Sequence, residues 1–389
     1  MLGRTRVAHA WSLLAVGACL AQAGEAAAGP VEATLEYTAD YIAPISGADD
    51  ADGVFLDNLD LGVTFDMGRI AGWRDVSVYA HVLNNSGEAP NDDLGTLQGV
   101  DNIEVARQRA RLYELWIEAG VGRANLRAGL YDLNSEFYAN DSAGLLIAPA
   151  FGIGSELAAT GPNGPSIFPS TALALRIAHP VTDDSLIRVA ALNATASVLG
   201  DPDGVDTSFD DGALLIGEWS RGGGTRLALG GWAYTDKHDD IRDVDSGGAP
   251  LQRRSAGAYL TIERELQPDL TGFARLGVSD GDTTPYVGGW QAGVLLDGVF
   301  EARPESQLSF GVYQGRLSAK HRANERDAGV DVAADETGFE LTYSDQLTPW
   351  LRVQPDLQLV LNPGGDRGRD HLWVAGLRFA VTPFGDAGG

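Results

Sequence analysis

The sequence predicts an all-β fold, a sixteen-stranded antiparallel transmembrane β-barrel. Three observations lead there: apolar and polar residues alternate with a period of two, the number of such segments is even, and the connections between them alternate between long and short. The alternation is plainest in Val31–Tyr41, where apolar residues take every odd position and polar ones every even position. Leu351–Leu361, Leu59–Phe65 and Phe339–Tyr343 repeat it. Such strands have one oily face and one wet face.

In chain order the strands are predicted at 31–41, 55–66, 74–83, 112–119, 124–131, 172–178, 186–193 and 213–220. The second half follows at 225–234, 255–264, 270–279, 288–296, 307–316, 337–345, 350–361 and 371–384. They average about ten residues, enough to cross a bilayer when tilted. Long, polar, acidic connections follow odd-numbered strands, at 42–54, 84–111, 132–171, 194–212, 235–254 and 317–336. Short turns follow even-numbered ones, among them 67–73, 120–123, 221–224, 265–269 and 346–349. A helical period is visible only in a short patch near Ile103–Arg111. A β-sandwich also alternates, but it needs neither sixteen strands nor this segregation of long and short connections.

Composition narrows the classes further. The chain has 389 residues, 54 Asp and Glu against 28 Lys and Arg, and a net charge of −26. That sign repels phosphate backbones and argues against a nucleic-acid partner. No apolar run is long enough for a transmembrane helix. One cysteine cannot build a disulfide framework. Residues 1–23 read as a secretory signal peptide: Arg4 and Arg6 supply the charged start, Ala10–Leu20 the apolar centre, and Ala21-Gln22-Ala23 the small residues at a cleavage site. A cut after Ala28 is the alternative. Loss of Arg4 and Arg6 takes the net charge from −26 to −28. Residues 24–389 are then one barrel domain.

The inferred inner faces carry Glu114, Glu118, Arg127, Arg176, Arg188, Glu218, Arg226, Glu263, Arg275, Glu340, Arg352 and Asp356. A soluble β-core buries that many charges only at great cost, whereas a water-filled lumen accommodates them. Closure is obligatory, because a sheet edge in hydrocarbon leaves backbone groups unpaired. Phe65, Tyr113, Trp219, Trp290 and Tyr343 are expected to point outward and form interfacial girdles.

Four segments carry a family resemblance. Leu130-Tyr131-Asp132-Leu133-Asn134-Ser135-Glu136-Phe137 resembles the motif after the fifth strand of carbohydrate-selective porins of Gram-negative outer membranes. Arg303-Pro304-Glu305-Ser306-Gln307, Pro355-Asp356-Leu357-Gln358 with Asn362-Pro363-Gly364-Gly365, and the closing strand Gly376-Leu377-Arg378-Phe379 resemble later family segments, in family order. The departure is at the end, where Phe384 is followed by Gly385–Gly389 instead of closing the chain on an aromatic residue. The resemblance implies passive, carbohydrate-selective diffusion of small sugars across a Gram-negative outer membrane. It also implies contact with outer-membrane lipid and lipopolysaccharide, insertion by the barrel-assembly machinery, and a monomer or homotrimer. The long connection 132–171, with its apolar stretch Leu145–Phe151, is expected to fold inward as a constriction loop. A general or cation-preferring porin is the alternative that the acidic charge suggests.

Candidate pore-lining residues follow from the strand faces and the motif. They are Glu114, Glu118, Arg127, Asp132, Asn134, Glu136, Arg176, Trp232, Glu263, Arg275, Arg352 and Asp356. Carboxylate acceptors, guanidinium donors and aromatic faces together suit hydroxyl-rich, neutral sugars. Several acids are also expected to pair with an Arg across one hairpin: Glu114 and Glu118 with Arg127, Glu218 with Arg226, Glu263 with Arg275, and Glu340 with Arg352. No enzyme, metal or cofactor is expected. The His residues are scattered without metal-ligand spacing, no nucleophile elbow exists, and Asp201–Asp206 lacks the glycine position and closing Glu of a calcium loop.

Overall fold

The computed structural model describes residues 29–48 and 50–383. The segment expected to be a signal peptide, with both expected cleavage positions, and the tail from Phe384 to Gly389 lie outside the described residues. Sixteen strands follow in order. The first eight are β1 (Val31–Ser46), β2 (Val54–Asp66), β3 (Val76–Gly87), β4 (Ala110–Val121), β5 (Ala124–Tyr131), β6 (Ala172–Thr182), β7 (Ser185–Asn193) and β8 (Ala213–Arg221). The others are β9 (Thr225–Val244), β10 (Pro250–Gln267), β11 (Leu270–Ser279), β12 (Tyr286–Asp297), β13 (Gln307–Leu317), β14 (Asp335–Thr348), β15 (Leu351–Leu361) and β16 (Leu372–Val381). Each pairs antiparallel with its neighbours in sequence, and β1 pairs with β16, so the sheet closes as a barrel.

Closure is what the sequence needs. Leu115, Ile117, Leu175, Ile177, Val189, Leu229, Leu276, Phe310 and Leu341 are all exposed on the outer face, a surface suited to lipid. Their in-between neighbours Glu114, Arg176, Glu218, Arg275 and Glu340 are buried on the inner face. A one-residue slip of any strand would exchange these two sets, so the register is strongly specified. At the seam, Tyr37 faces Val381 and Tyr41 faces Leu377. There the buried Asp40 takes both Nε (2.9 Å) and Nη2 (2.6 Å) of Arg378, clasping the first strand to the last.

Three expectations are corrected. Residues 235–254 are not a loop: β9 and β10 run on as a ladder, with Gln252 facing Asp239 and Arg253 facing His238, and only 245–249 turn. Alternation disappears there because this hairpin extension has polar residues on both faces, which removes the sequence signal. The patch Ile103–Arg111 is not helical; it is turns leading into β4. A helix does form at Ala319–Asp327, capped by the Ser318 side chain, which accepts the His321 N–H. Tyr113 points inward, not outward. Glu114 faces His81 and Leu112 faces Val82, so Tyr113 is the extra residue of a β-bulge, which reverses its side.

The seam clasp is open to test. Asp40→Ala leaves a largely buried guanidinium with Asn102 (2.6 Å) and the more distant Asp101 (3.7 Å). Loss of one partner of a buried pair costs about 3–5 kcal/mol, and Asp101 holds the effect to the low end of that range. The temperature at which the folded band converts to the unfolded band in SDS gels should fall. An unchanged conversion temperature would mean the clasp contributes nothing to closure.

Candidate functional site

β5 is the shortest strand because its chain leaves the wall at Tyr131. The Asp132 side chain accepts the Asn134 N–H at 2.8 Å and the Tyr113 hydroxyl at 2.6 Å, and its own N–H donates to Glu114 Oε1 at 3.0 Å. Ser166 returns the far end of the loop, donating to Tyr131 O at 2.7 Å. Between them the β5–β6 loop (132–171) lies against inward-facing side chains. Leu133, Phe137, Tyr138, Ile153 and Leu157 pack on Leu192, Leu214, Ile216, Trp232, Tyr234 and Tyr259 of the wall. Ala143, Leu146, Ala148, Ala150 and Phe151 pack on Phe273 and Tyr313. Glycines on the wall make the room. A Cβ at Gly311 would sit 2.4 Å from the Phe151 ring, and one at Gly277 would sit 1.7 Å from Glu156 Oε1.

Wall carboxylates hold the loop by its backbone. Glu340 takes the N–H groups of Ile147 (2.5 Å) and Ala148 (2.9 Å). Glu263 takes Ser142 N–H at 2.8 Å, and Glu218 takes Tyr138 N–H at 3.0 Å. Arg275 does the reverse, donating to the carbonyls of Tyr138 (3.1 Å), Ala150 (3.1 Å) and Gly152 (2.8 Å), and to that of Phe151. The β3–β4 loop (88–109) enters in the same way. Glu336 accepts Leu97 N–H (2.8 Å) and Gln98 N–H (3.0 Å), and Gln358 donates to Val100 O at 2.8 Å. The two loops meet where Ser155 donates to Gln98 Oε1 at 2.9 Å.

The inner face that the loops leave uncovered carries an interlocked charge array. Glu118 receives Arg127 (2.7 Å) and Arg176 (2.8 Å), and Glu136 receives Arg176 (2.7 Å) and lies 3.9 Å from Arg127. Arg188 continues the row to Glu218 at 3.4 Å. The Arg127 guanidinium sits 3.9 Å over the Trp116 ring, and Tyr79 packs against that ring at 5.1 Å. Beyond Tyr79, His81 lies between Asp60 (3.0 Å) and Glu114 (3.8 Å).

The candidate residues therefore fall into separate places. Glu118, Arg127, Glu136 and Arg176 meet in the array. Glu114 and Asp132 stand beside His81 at its edge, and Asn134 is turned to Phe137 O at 3.2 Å. Glu263, Arg275 and Trp232 are buried under the β5–β6 loop. Asp356 is buried and accepts from Gln358 at 2.9 Å; Arg352 donates to Ser344 at 3.2 Å. Of the expected hairpin pairs, Glu118–Arg127 forms. Glu114–Arg127, Glu218–Arg226, Glu263–Arg275 and Glu340–Arg352 do not, because the registers set each acid and Arg at different heights. Arg226 joins Asp141 of the loop and lies 3.6 Å from Glu263. Trp116, Tyr79, His81, Asp60 and Arg188 stand next to the array. Trp116 was legible, since it alternates in phase with Glu114 and Glu118.

A closed barrel with an apolar exterior and a charged inner face defines a diffusion pore of the Gram-negative outer membrane. Residues 52–382 match the carbohydrate-selective porin, OprB family, and the chain belongs to that family. Porin B of Pseudomonas aeruginosa is 26% identical over 397 residues, covering 90% of this chain and 86% of that protein. The high-pH structure of Pseudomonas putida OprB superimposes with a TM-score of 0.80 at 24% identity, over 94% of this chain and 96% of that one. The outer membrane channel DcaP of Acinetobacter baumannii shares the fold at a TM-score of 0.56 and 10% identity, over 92% of this chain and 99% of that one. The protein is an outer-membrane porin for carbohydrate-selective diffusion.

Asp132 predicts a pH dependence at the edge of the array. Burial pushes its carboxyl up to about 7; the Tyr113 hydroxyl opposes that shift and the Glu114 charge adds to it. Asp132 therefore takes up a proton as pH falls through neutrality, removing one negative charge beside Glu114. The cation-to-anion permeability ratio should drop between about pH 8 and pH 6 in reversal-potential measurements, and Asp132→Asn should flatten that step. An identical pH profile in Asp132→Asn would assign the step to other groups.

Proposed function

We propose that sugars pass along the Trp116–Arg127 wall, where fixed donors and acceptors replace water one hydroxyl at a time. The observation that carries this reading is the locked geometry of Arg127. Glu118 and the Trp116 face hold it from two sides, and Glu136 lies near. A guanidinium fixed this way presents N–H donors with little ordering cost. Glu118 and Glu136, each partly exposed, offer acceptor oxygens to the same lumen. The aromatic ring supplies a platform for the C–H face of a pyranose. In this reading the two inward loops set the width of the path, the channel performs no chemistry on its cargo, and binding is weak enough for release on either side.

The same reading makes residues 1–23 the export leader, read before the barrel-assembly machinery inserts the mature chain. The outer apolar band then meets lipid and the loop rims meet lipopolysaccharide, whether the porin works as a monomer or a homotrimer.

Arg127→Ala should weaken the block of ion current by glucose several-fold and raise cation preference, because Glu118 loses one of its two cations. Stability should change little, since lumen water solvates what remains. The comparison is current block by glucose in planar bilayers at several sugar concentrations. Equal block and equal selectivity in the parent and the variant would make this array structural only.

A further inference from the structure

The outer rim holds a second polar cavity, apart from the array that lines the pore. Because the chain turns inward at Tyr131, the wall between the outer ends of β4 and β6 lacks a strand. The β7–β8 loop (194–212) closes the gap: Leu199 O accepts the Leu112 N–H at 2.8 Å, and Ser197 N–H donates to Thr171 O at 3.0 Å. At this patch lies a cavity of about 660 Å³ walled by three loops.

Arg107, Arg109 and Arg111 line it. No other five-residue stretch of this acidic chain holds three Lys or Arg. Asp201 serves two of them, 3.0 Å from Arg111 Nε and 3.6 Å from Arg109 Nη1. Arg111 is buried and fully engaged, donating also to Asn85 Oδ1 (3.2 Å) and Arg107 O (2.9 Å). Arg109 donates to Gly200 O at 3.1 Å, while Arg107 is exposed and makes no ion pair among the described residues. Asp203 on the lip is the second carboxylate, so three guanidinium groups face two acids. The remaining wall combines apolar Pro165, Ile167 and Phe168 with polar Asn163, Ser170 and Ser197.

We infer that this cavity binds an anionic sugar, a monosaccharide carrying a carboxylate or phosphate, at the outer mouth of the pore. Guanidinium groups take such oxygens in a two-point fork. Phe168 and Ile167 offer an apolar wall to the C–H face of the ring. The volume suits a small ligand, and one surplus positive charge suits a monoanion. The site rests on the porin reading only for its position at the mouth. Two sources carry this chemistry: a free sugar acid, which the cavity would gather ahead of transit, and a phosphorylated sugar of lipopolysaccharide.

The test is calorimetric titration of the full-length protein in detergent, stripped of lipopolysaccharide, with sodium glucuronate and with glucose. The parent is compared with Arg107→Gln/Arg109→Gln, leaving the structural Arg111 in place; a heat-shifted gel band confirms that the variant folds. The parent should bind glucuronate at least tenfold more tightly than glucose, and the variant should lose that preference. Glucose block of ion current should be the same in both. If lipopolysaccharide is the natural occupant, the parent extracted from outer membranes carries it, glucuronate binds only after stripping, and the variant is extracted without it. A stripped parent that binds glucuronate no better than glucose, or a variant that keeps the preference, would overturn the site. A parent that binds glucuronate but passes no glucose would leave this cavity standing and remove the sugar-channel reading.

Discussion

Two long loops enter this barrel, and each brings backbone N–H groups into a partly dry space where they need acceptors. The wall supplies them as carboxylates. Glu336 and Glu340 each accept two consecutive amides, and Glu114, Glu218 and Glu263 accept one each. Arg275 does the complementary work for carbonyls. Charge-assisted bonds of this kind are short and directional, so they fix the loop path as well as its presence. The apolar contacts of Phe151 and Leu146 then fill the hollow left over wall glycines such as Gly311.

That arrangement decides which charges the loops leave uncovered on the inner face. Carboxylates that grip loops are consumed by them. Glu118 and Glu136 instead face Arg127 and Arg176, keep part of their surface in the lumen, and stand beside Trp116. In the proposed reading, the pore wall is the part of the inner face that the loops leave uncovered. Part of the chain's net acidity is engaged elsewhere, on backbone amides and, through Asp240 and Asp243, on Lys320.

Much of the fold was legible because a two-residue period and a bilayer leave few alternatives. All sixteen strands lie where alternation puts them, and β5 and β11 begin and end at the predicted residues. Legibility failed where the bilayer stops imposing the pattern. The extension of β9 and β10 is polar on both faces and reads as a loop, and a single bulge turns Tyr113 inward. In the lumen, alternation identified inward residues but not their partners. Whether Glu340 meets Arg352 or the amides of Ile147 and Ala148 depends on a loop path between residues nearly two hundred positions apart. No local pattern encodes that.

The central claim is that wall side chains hold the β5–β6 loop in the lumen and so set its width. Single-channel conductance of Arg275→Ala/Glu340→Ala tests it most directly, in protein that still shows the heat-dependent gel shift. Without its acceptors for Ile147 and Ala148 and its donor to four carbonyls, the loop should loosen, giving a larger and noisier conductance than the parent. A correctly folded double variant with the parent's conductance and noise would contradict the account.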